Sequence, residues 1–190
     1  MTQIKVRGQA TSQWHDLVKD AETYNGVQLD EEMESYLVFL LMRYTQQPEL
    51  GAKVMALEYL HGANTVGNLR QEKMRDVGDQ CLLFSGLFPR RAERRRVKIS
   101  YYVNLGRSAY HSVSEHTQSA MAKMFGQLAE SFVELMDTLQ AMRCVSQPGT
   151  DMDAISAFEQ WQTTNSRHAQ RVLSLNSSGT PLRNTSKLKH

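Results

Sequence analysis

The chain has 190 residues, of which 41% are hydrophobic and 22% charged, and these proportions are typical of a folded globular protein rather than a disordered one. The net charge is only +2, and the longest apolar run, Tyr36–Met42, is far shorter than the roughly 20 residues that span a bilayer. The first residues lack the apolar stretch of a secretory signal. We therefore expect a cytoplasmic protein without a membrane segment, in which Cys81 and Cys144 are free buried thiols.

Apolar residues at helical spacing predict a mainly α, single-domain bundle of six or seven helices. Residues 1–10 are expected to form an N-terminal arm. The first helix should run from about Thr11 to Tyr24, where the following Asn-Gly pair favours a helix end. The helical domain is expected over residues 11–175, and the polar residues 176–190 are typical of a flexible tail.

The second helix is predicted to begin after Asp30, whose side chain would cap it. Val38 and Phe39 widen the apolar surface of this helix, which indicates that other helices enclose it. A third helix is predicted to start at Pro48, in a first-turn position. Its predicted inward face consists of Leu50, Val54, Leu57 and Leu60.

A fourth helix is predicted from about Leu69 to Gly86, because Phe88-Pro89 prevents a simple continuation. Residues 96–103 alternate between polar and apolar as a strand does, but the same residues also fit a helix. Since the chain offers no second long strand for pairing, we favour a helix from about Ala92 to His111.

A long sixth helix is predicted over Ser114–Cys144, and a last helix is predicted to open at Asp151 or Asp153. The Met33–Tyr44 and Met121–Met142 stretches are expected at the centre of the bundle. A homodimer would cover apolar surface that one domain cannot bury. The predicted inward residues of the last helix are Ile155, Phe158, Trp161, Val172 and Leu175.

Positive charge concentrates in one segment, because residues 70–111 carry ten basic and four acidic groups, a net charge of +6. Arginine grips phosphate and carboxylate groups with two parallel hydrogen bonds. This cluster therefore predicts a site for an anionic, phosphate-bearing ligand or an acidic protein partner, unless it pairs internally with Glu31, Glu32 and Glu34. The residues of this predicted site are Arg90, Arg91, Arg94, Arg95, Arg96 and Arg107.

An alternative hypothesis is a helical enzyme or cofactor-binding protein with a pocket lined by Tyr101, Tyr102, Tyr110 and His111. We predict no catalytic residue, because the sequence contains no nucleophile elbow, P-loop or dinucleotide-binding glycine motif. No metal site and no cofactor are predicted either, because none of the histidines falls in a ligand motif. Nucleic-acid binding is a third and disfavoured alternative, since the rest of the chain is acidic.

Two stretches in this region carry a resemblance to other proteins. They are Val77-Gly-Asp-Gln-Cys-Leu-Leu-Phe-Ser-Gly-Leu-Phe-Pro-Arg-Arg-Ala-Glu93 and Tyr101-Tyr-Val-Asn-Leu-Gly-Arg-Ser-Ala-Tyr110. Around them, over residues 30–115, the chain resembles a group of uncharacterised proteobacterial helical proteins of unknown function. The resemblance implies a bacterial cytoplasmic protein and brings no activity, cofactor or catalytic residue. The sequence therefore favours a non-enzymatic binding or regulatory protein.

Overall fold

The structure is a computed structural model that describes residues 2–46, 54–89, 97–118 and 120–176. These residues form helices and no strand, as the sequence predicts. No helix in the described ranges has both the length and the hydropathy needed to cross a bilayer. The helices are α1 Thr2–Asn25, α2 Glu31–Gln46, α3 Met55–Ala63, α4 Gly67–Leu87, α5 Ile99–Glu115, α6 Ala120–Glu130, α7 Phe132–Ser146, α8 Ala154–Thr164 and α9 Arg167–Asn176.

Helix α4 lies at the centre of the fold, where it packs against α3, α5 and α7. Every residue from Val77 to Gly86 is buried, so this half of α4 is enclosed on all sides. Glycines make such close packing possible, because a Cβ on Gly78 would lie 2.4 Å from the Tyr110 ring and one on Gly86 would lie 2.5 Å from Leu139. The sequence placed the second and sixth helices at the centre instead.

The described residues form nine helices, so the prediction of six or seven is wrong. The predicted Ser114–Cys144 helix is interrupted after Glu115 and again at Ser131. Its two parts face different neighbours, since α6 packs against α5 whereas α7 packs against α1 and α4. The predicted last helix is also divided, because Asn165 adopts a left-handed conformation with φ of 62° and ends α8.

Helix starts are partly as predicted. Asp30 caps α2 through a 2.8 Å hydrogen bond from the Met33 amide, and Asp153 caps α8 by accepting from two backbone amides. Helix α5 confirms helix rather than strand from Ile99 onward. Helix α1, however, begins at Thr2, so the backbone is helical through the residues for which an arm was predicted.

Several predicted inward faces point to solvent instead. On α3, Val54, Leu57 and Leu60 are all more than half exposed, because this short helix packs on α4 through Met55 and Gly62. Phe39 is 65% exposed, so α2 is not enclosed on that side. Helical spacing identifies an apolar stripe but does not say which neighbour covers it. On α4, α6 and the C-terminal helices the exposed positions are Leu69, Met121, Ile155, Phe158 and Leu175.

Helices α8 and α9 form a C-terminal hairpin with a small core of its own. This core is separate from the main one and consists of Ala157, Trp161, Ala169, Val172 and Leu173. Since so few apolar residues are buried there, polar contacts must contribute much of the docking of the hairpin onto α1, α5 and α7. The candidate site lies at this junction.

Candidate metal centre

The residues of the predicted arginine site fall mostly outside the described ranges, which omit Arg90, Arg91, Arg94, Arg95 and Arg96. Arg107 is exposed, and its Nε donates a 3.0 Å hydrogen bond to the carbonyl of Ala129. One of the proposed internal partners, Glu34, is engaged elsewhere, since Lys19 donates a hydrogen bond to it and His15 lies 3.6 Å away.

The residues of the predicted tyrosine and histidine pocket have different surroundings. Tyr101 is 40% exposed and its ring contacts that of Tyr102, which is buried and stacked on Phe84. Tyr110 is fully buried and His111 is exposed, both further along α5. The structure therefore brings Tyr101 and Tyr102 together and leaves the other two apart from them.

Tyr110 belongs to a buried polar cluster around Asp79 on α4. One oxygen of Asp79 accepts hydrogen bonds from the hydroxyls of Tyr36 at 2.5 Å and Tyr110 at 2.9 Å. The other oxygen accepts from Arg43 at 3.1 Å, and Arg43 also binds Asp76. Burial raises the pKa of Asp79 above its usual value, while the two tyrosine hydroxyls act in the opposite direction. Because Asp79 is only 4% exposed and both of its oxygens are occupied, this cluster has a structural role.

A second polar cluster joins three parts of the chain at the base of the hairpin. Cys144 comes from the end of α7, Asp151 from the loop that follows, and His168 from the first turn of α9. The Cys144 thiol donates a 2.8 Å hydrogen bond to Oδ1 of Asp151, and Nε2 of His168 lies 3.7 Å from the same oxygen and 4.0 Å from the sulfur. Three potential metal ligands of different chemistry therefore converge on one point.

The orientation of the His168 ring is set by a residue at the far end of α1. Nδ1 of His168 lies 3.0 Å from Oδ1 of Asn25, and Nδ2 of Asn25 donates a 2.8 Å hydrogen bond to the carbonyl of Asp137. Because the amide nitrogen of Asn25 donates to Asp137, its oxygen must face the ring and accept a hydrogen bond from Nδ1–H. This tautomer leaves a lone pair on Nε2, which points towards Cys144 and Asp151.

The thiol and the imidazole of the cluster are both uncharged at neutral pH. Burial raises the pKa of the Cys144 thiol to about 11, and the hydrogen bond to Asp151 acts in the same direction. The pKa of His168 is lowered to about 4, mainly by burial. Asp151 acts in the opposite direction, and the positive charges of Arg143 and Arg171 act in the same direction as burial. A neutral imidazole is the form that binds a metal ion.

Asp137 on α7 holds the first turn of α9 in place. Its carboxylate accepts hydrogen bonds from the Ser166 hydroxyl at 2.5 Å and from the backbone amides of Arg167 at 2.7 Å and His168 at 3.3 Å. Ser166 in turn accepts a 3.0 Å hydrogen bond from the amide of Ala169. The start of α9 is therefore capped both by the residue that precedes it and by Asp137 of α7. These contacts fix the position of the His168 backbone, as Asn25 fixes its ring.

The separations suit a tetrahedral ion of the zinc class. Bonds of about 2.0 to 2.3 Å from one ion to sulfur, nitrogen and oxygen place the three ligand atoms about 3.4 to 3.6 Å apart. The observed separations of 2.8, 3.7 and 4.0 Å bracket those values, and the shortest is the thiol hydrogen bond that an ion would replace. Cys144 and His168 are buried, whereas the Asp151 side chain is 37% exposed and gives access from solvent.

The order of groups Cys144, His168 and Asn25 also matches that of cysteine hydrolases, in which histidine activates a thiol. Here the thiol donates to Asp151 instead of to the imidazole, and it is only 6% exposed. A catalytic thiol gives its proton to the imidazole and lies where a substrate can reach it, and this thiol does neither. The arrangement therefore fits ion binding better than nucleophilic catalysis.

Sequence reasoning missed this cluster because it searched for histidines and carboxylates at helical spacing. The neighbouring residues His111, Glu115 and His116 do not converge, and Nδ1 of His116 contacts the carbonyl of Ser112 at 2.8 Å. Cys144, Asp151 and His168 lie on three elements with no local motif. Among the described residues they form the only group of three or more such side chains close enough to share an ion.

A cavity of about 260 Å³ lies between α8 and the start of α5. Its walls include Met152, which directly follows Asp151, and Gln160, which hydrogen-bonds to Ser166. Pro89 and Val97, the residues on either side of the arginine segment in the sequence, also line it. Met152 links the cavity to the polar cluster along the chain, although none of Cys144, Asp151 and His168 lies on α8.

Comparison of the chain with protein-family models, with curated proteins and with solved structures found no match. The function is therefore inferred from the chemistry of the residues themselves. The cluster of Cys144, Asp151 and His168, with Asn25 behind the histidine, is the part of the described structure that most clearly resembles a binding site.

Proposed function

We propose that this protein binds a divalent metal ion of the zinc class through Cys144, Asp151 and His168. The observation that carries the proposal is the convergence of a thiol, a carboxylate and an imidazole whose Nε2 lone pair is directed at the other two. A histidine that binds metal usually donates its second ring proton to a carbonyl or carboxylate, and Asn25 supplies that acceptor here.

The ligand set selects the class of ion. Calcium and magnesium prefer sites made of oxygen atoms, so a thiol and an imidazole disfavour both. Zinc accepts sulfur, nitrogen and oxygen ligands together in a tetrahedral arrangement. Three protein ligands leave one coordination position for a group from outside the chain.

Binding would also stabilise the hairpin. The ligands come from α7, the α7–α8 loop and α9, so one ion would connect all three where the apolar core is small. An ion that binds only the folded state adds about 2.7 kcal/mol to the unfolding free energy at a concentration of 100 times its dissociation constant.

The test is a titration of the purified, chelator-treated protein with Zn²⁺ by calorimetry and with Co²⁺ by absorbance. We expect one ion per chain, together with the charge-transfer band of a cobalt–thiolate bond. Cys144→Ala should abolish that band. Asp151→Asn should weaken ion binding about tenfold or more, because removing even a group that only supports a ligand has an effect of that size.

Two matched variants serve as controls. Cys81→Ala removes the other free thiol and His111→Ala removes an exposed histidine, and neither should change the stoichiometry or the cobalt spectrum. Because Asp151 is at the surface, Asp151→Asn is expected to fold even if Cys144→Ala does not. A chain that binds no ion, or that binds it equally well after Asp151→Asn, would show that the cluster is only structural.

A second candidate function is binding of an anionic ligand or an acidic protein partner by Arg90, Arg91, Arg94, Arg95 and Arg96. The observation in its favour is that Pro89, Val97 and Lys98, which adjoin this segment in the sequence, line the cavity beside α8. The double substitution Arg91→Glu with Arg95→Glu should remove binding and leave the helical circular dichroism unchanged. Loss of the helical signal would instead identify these arginines as internal ion-pair partners.

The origin, the cellular location and the oligomeric state of the protein are also part of this proposal. A bacterial origin follows only from the resemblance over residues 30–115, whereas the cytoplasmic location also follows from the expected absence of a secretory signal and from the two free cysteines. A homodimer is supported by the exposed apolar residues of α3, and sedimentation equilibrium over a range of concentrations measures it directly. A purely monomeric sedimentation profile at high concentration would contradict the dimer.

A further inference from the structure

We infer that the fourth coordination position of the proposed ion is a site for a small oxyanion, a carboxylate or phosphate group, recognised jointly by the ion and by Arg143 and Arg171. This inference rests on the proposed function. It concerns the ligand that the site takes rather than the ion itself.

The charge balance of the site is the first reason. A divalent ion with one thiolate and one carboxylate has no net charge, because Cys144 and Asp151 contribute one negative charge each. Arg143 and Arg171 then remain as two positive charges beside it. Neither arginine forms an ion pair with a carboxylate in the part of the chain that the structure describes. A centre of this kind attracts anions.

Arg143 lies beside the first two ligands. It directly precedes Cys144 on α7, and its Nη2 donates a 2.9 Å hydrogen bond to the carbonyl of Thr150, the residue before Asp151. The guanidinium group is therefore anchored next to the loop that carries Asp151. Its Nε is buried and lacks a hydrogen-bond partner within the described structure, so one strong donor remains available.

Arg171 lies beside the third ligand, His168. It lies three residues after His168, on the same face of α9, and its guanidinium carbon is 4.1 Å from the centre of the Tyr24 ring. That ring is itself 6.4 Å from the ring of His168. Arg171 also donates to the carbonyl of Tyr24, which holds the charge over the end of α1.

The recognition chemistry follows from these two groups. Guanidinium groups bind carboxylate and phosphate oxygens through charge-assisted hydrogen bonds, and a zinc-class ion accepts an oxygen ligand at an open position. The exposed Asp151 side chain and the exposed Arg171 leave a route from solvent. A small oxyanion can coordinate the ion and also accept charge-assisted hydrogen bonds from both arginines, whereas a neutral ligand would only coordinate the ion.

The test uses the full chain loaded with Co²⁺, titrated with sodium acetate in one arm and with inorganic phosphate in the other. We expect the visible cobalt bands to change with a saturable dependence on the anion. Arg171→Gln should weaken that dependence about tenfold, the effect of losing one charge-assisted contact. Arg171→Lys should restore part of it because it restores the charge.

Arg167→Gln is the matched control, because Arg167 is an exposed arginine one turn earlier on α9. It should leave the anion titration unchanged. A response to phosphate alone or to acetate alone supports the inference and identifies the group that is recognised. Cobalt bands that ignore both anions, or that respond equally in wild type and Arg171→Gln, overturn the inference. In either of these cases cobalt binding itself is still measured, so the proposed metal site is judged separately.

Discussion

The two buried polar clusters of this protein differ in one decisive respect. Around Asp79, three donors from α2 and α5 occupy both carboxylate oxygens, and the residue is 4% exposed. Around Cys144, the short contact is the 2.8 Å thiol hydrogen bond to Asp151, Nε2 of His168 lies 4.0 Å from the sulfur, and Asp151 reaches solvent. The first cluster is complete without a ligand, whereas the second has lone pairs directed at a common point.

The two clusters also differ in how much apolar packing surrounds them. The Asp79 cluster lies inside the main core, where Tyr110 also packs against Phe125 and Phe132. The second cluster lies under a hairpin with a small apolar core, tied down mainly by Asp137 and Ser166. A buried network in which every polar group has a partner stabilises one structure. A cluster with unused lone pairs, next to a small apolar core, is better suited to binding a ligand.

The largest effect is expected from Gly78→Ala in the main core. A Cβ at this position would lie 2.4 Å from the Tyr110 ring, which cannot move because its hydroxyl is held by Asp79. We expect the unfolding free energy to fall by about 3 kcal/mol, measured by urea denaturation. Gly126→Ala is the control, since its nearest neighbour is 3.5 Å away and helix propensity should raise stability by about 0.5 kcal/mol. Equal effects would contradict the tight packing of α4 against α5.

Tyr110→Phe tests whether the Asp79 cluster is closed. Burial raises the pKa of Asp79, so the stability contributed by its neutral form is present below the unfolded pKa and is lost as pH rises through the folded pKa. The Tyr110 hydroxyl lowers this pKa, and its removal must therefore cost more when Asp79 is ionised. We expect a loss of about 1 kcal/mol at low pH and about 2 kcal/mol above the pKa, by denaturation at several pH values. Tyr101→Phe, on the exposed side of α5, should change stability by less than about 0.5 kcal/mol. A loss that did not vary with pH would separate Tyr110 from Asp79.

Ser166→Ala tests the attachment of the hairpin. The variant removes the hydroxyl that donates to Asp137 and accepts from the Ala169 amide. The free energy of local opening of α9 should therefore fall by about 1.5 kcal/mol. Amide hydrogen exchange should accelerate in α9 and not in α5. Saturating Zn²⁺ should slow the exchange of α9 again, because the ion binds only when the hairpin is docked. Ser174→Ala on the same helix is the control, as its hydroxyl bonds only to its own helix. Uniform acceleration along the chain would show that the hairpin has no independent stability.

The smallest effect is expected from Lys98→Met. Lys98 and Glu159 connect the start of α5 to α8 at 2.5 Å, but their side chains are 71% and 49% exposed. Solvent screens such a pair, so we expect a change of less than about 0.5 kcal/mol in thermal unfolding. A larger loss would mean that surface charge, and not the Asp137 and Ser166 contacts, holds the hairpin.

Local sequence rules predicted the elements better than their partners. Asp30 and Asp153 cap helices as expected, and Asn165 shows how one left-handed residue divides a stretch whose apolar pattern is continuous. The pattern on α3 was read correctly as apolar but assigned to the wrong side, because Met55 and Gly62 decide the contact with α4. The candidate site was not predicted at all.

The sequence by itself determined that this chain is mainly helical, that Asp30 and Asp153 cap helices, and that Cys81 and Cys144 are buried free thiols. These properties depend on residues within about one helical turn of each other and on overall composition. Only the tertiary structure decided that Cys144, Asp151 and His168 meet, because their approach depends on how α7, α9 and the end of α1 pack. No spacing along the chain encodes the hydrogen bond from His168 to Asn25 that turns the histidine towards the other two, since 143 residues separate its partners.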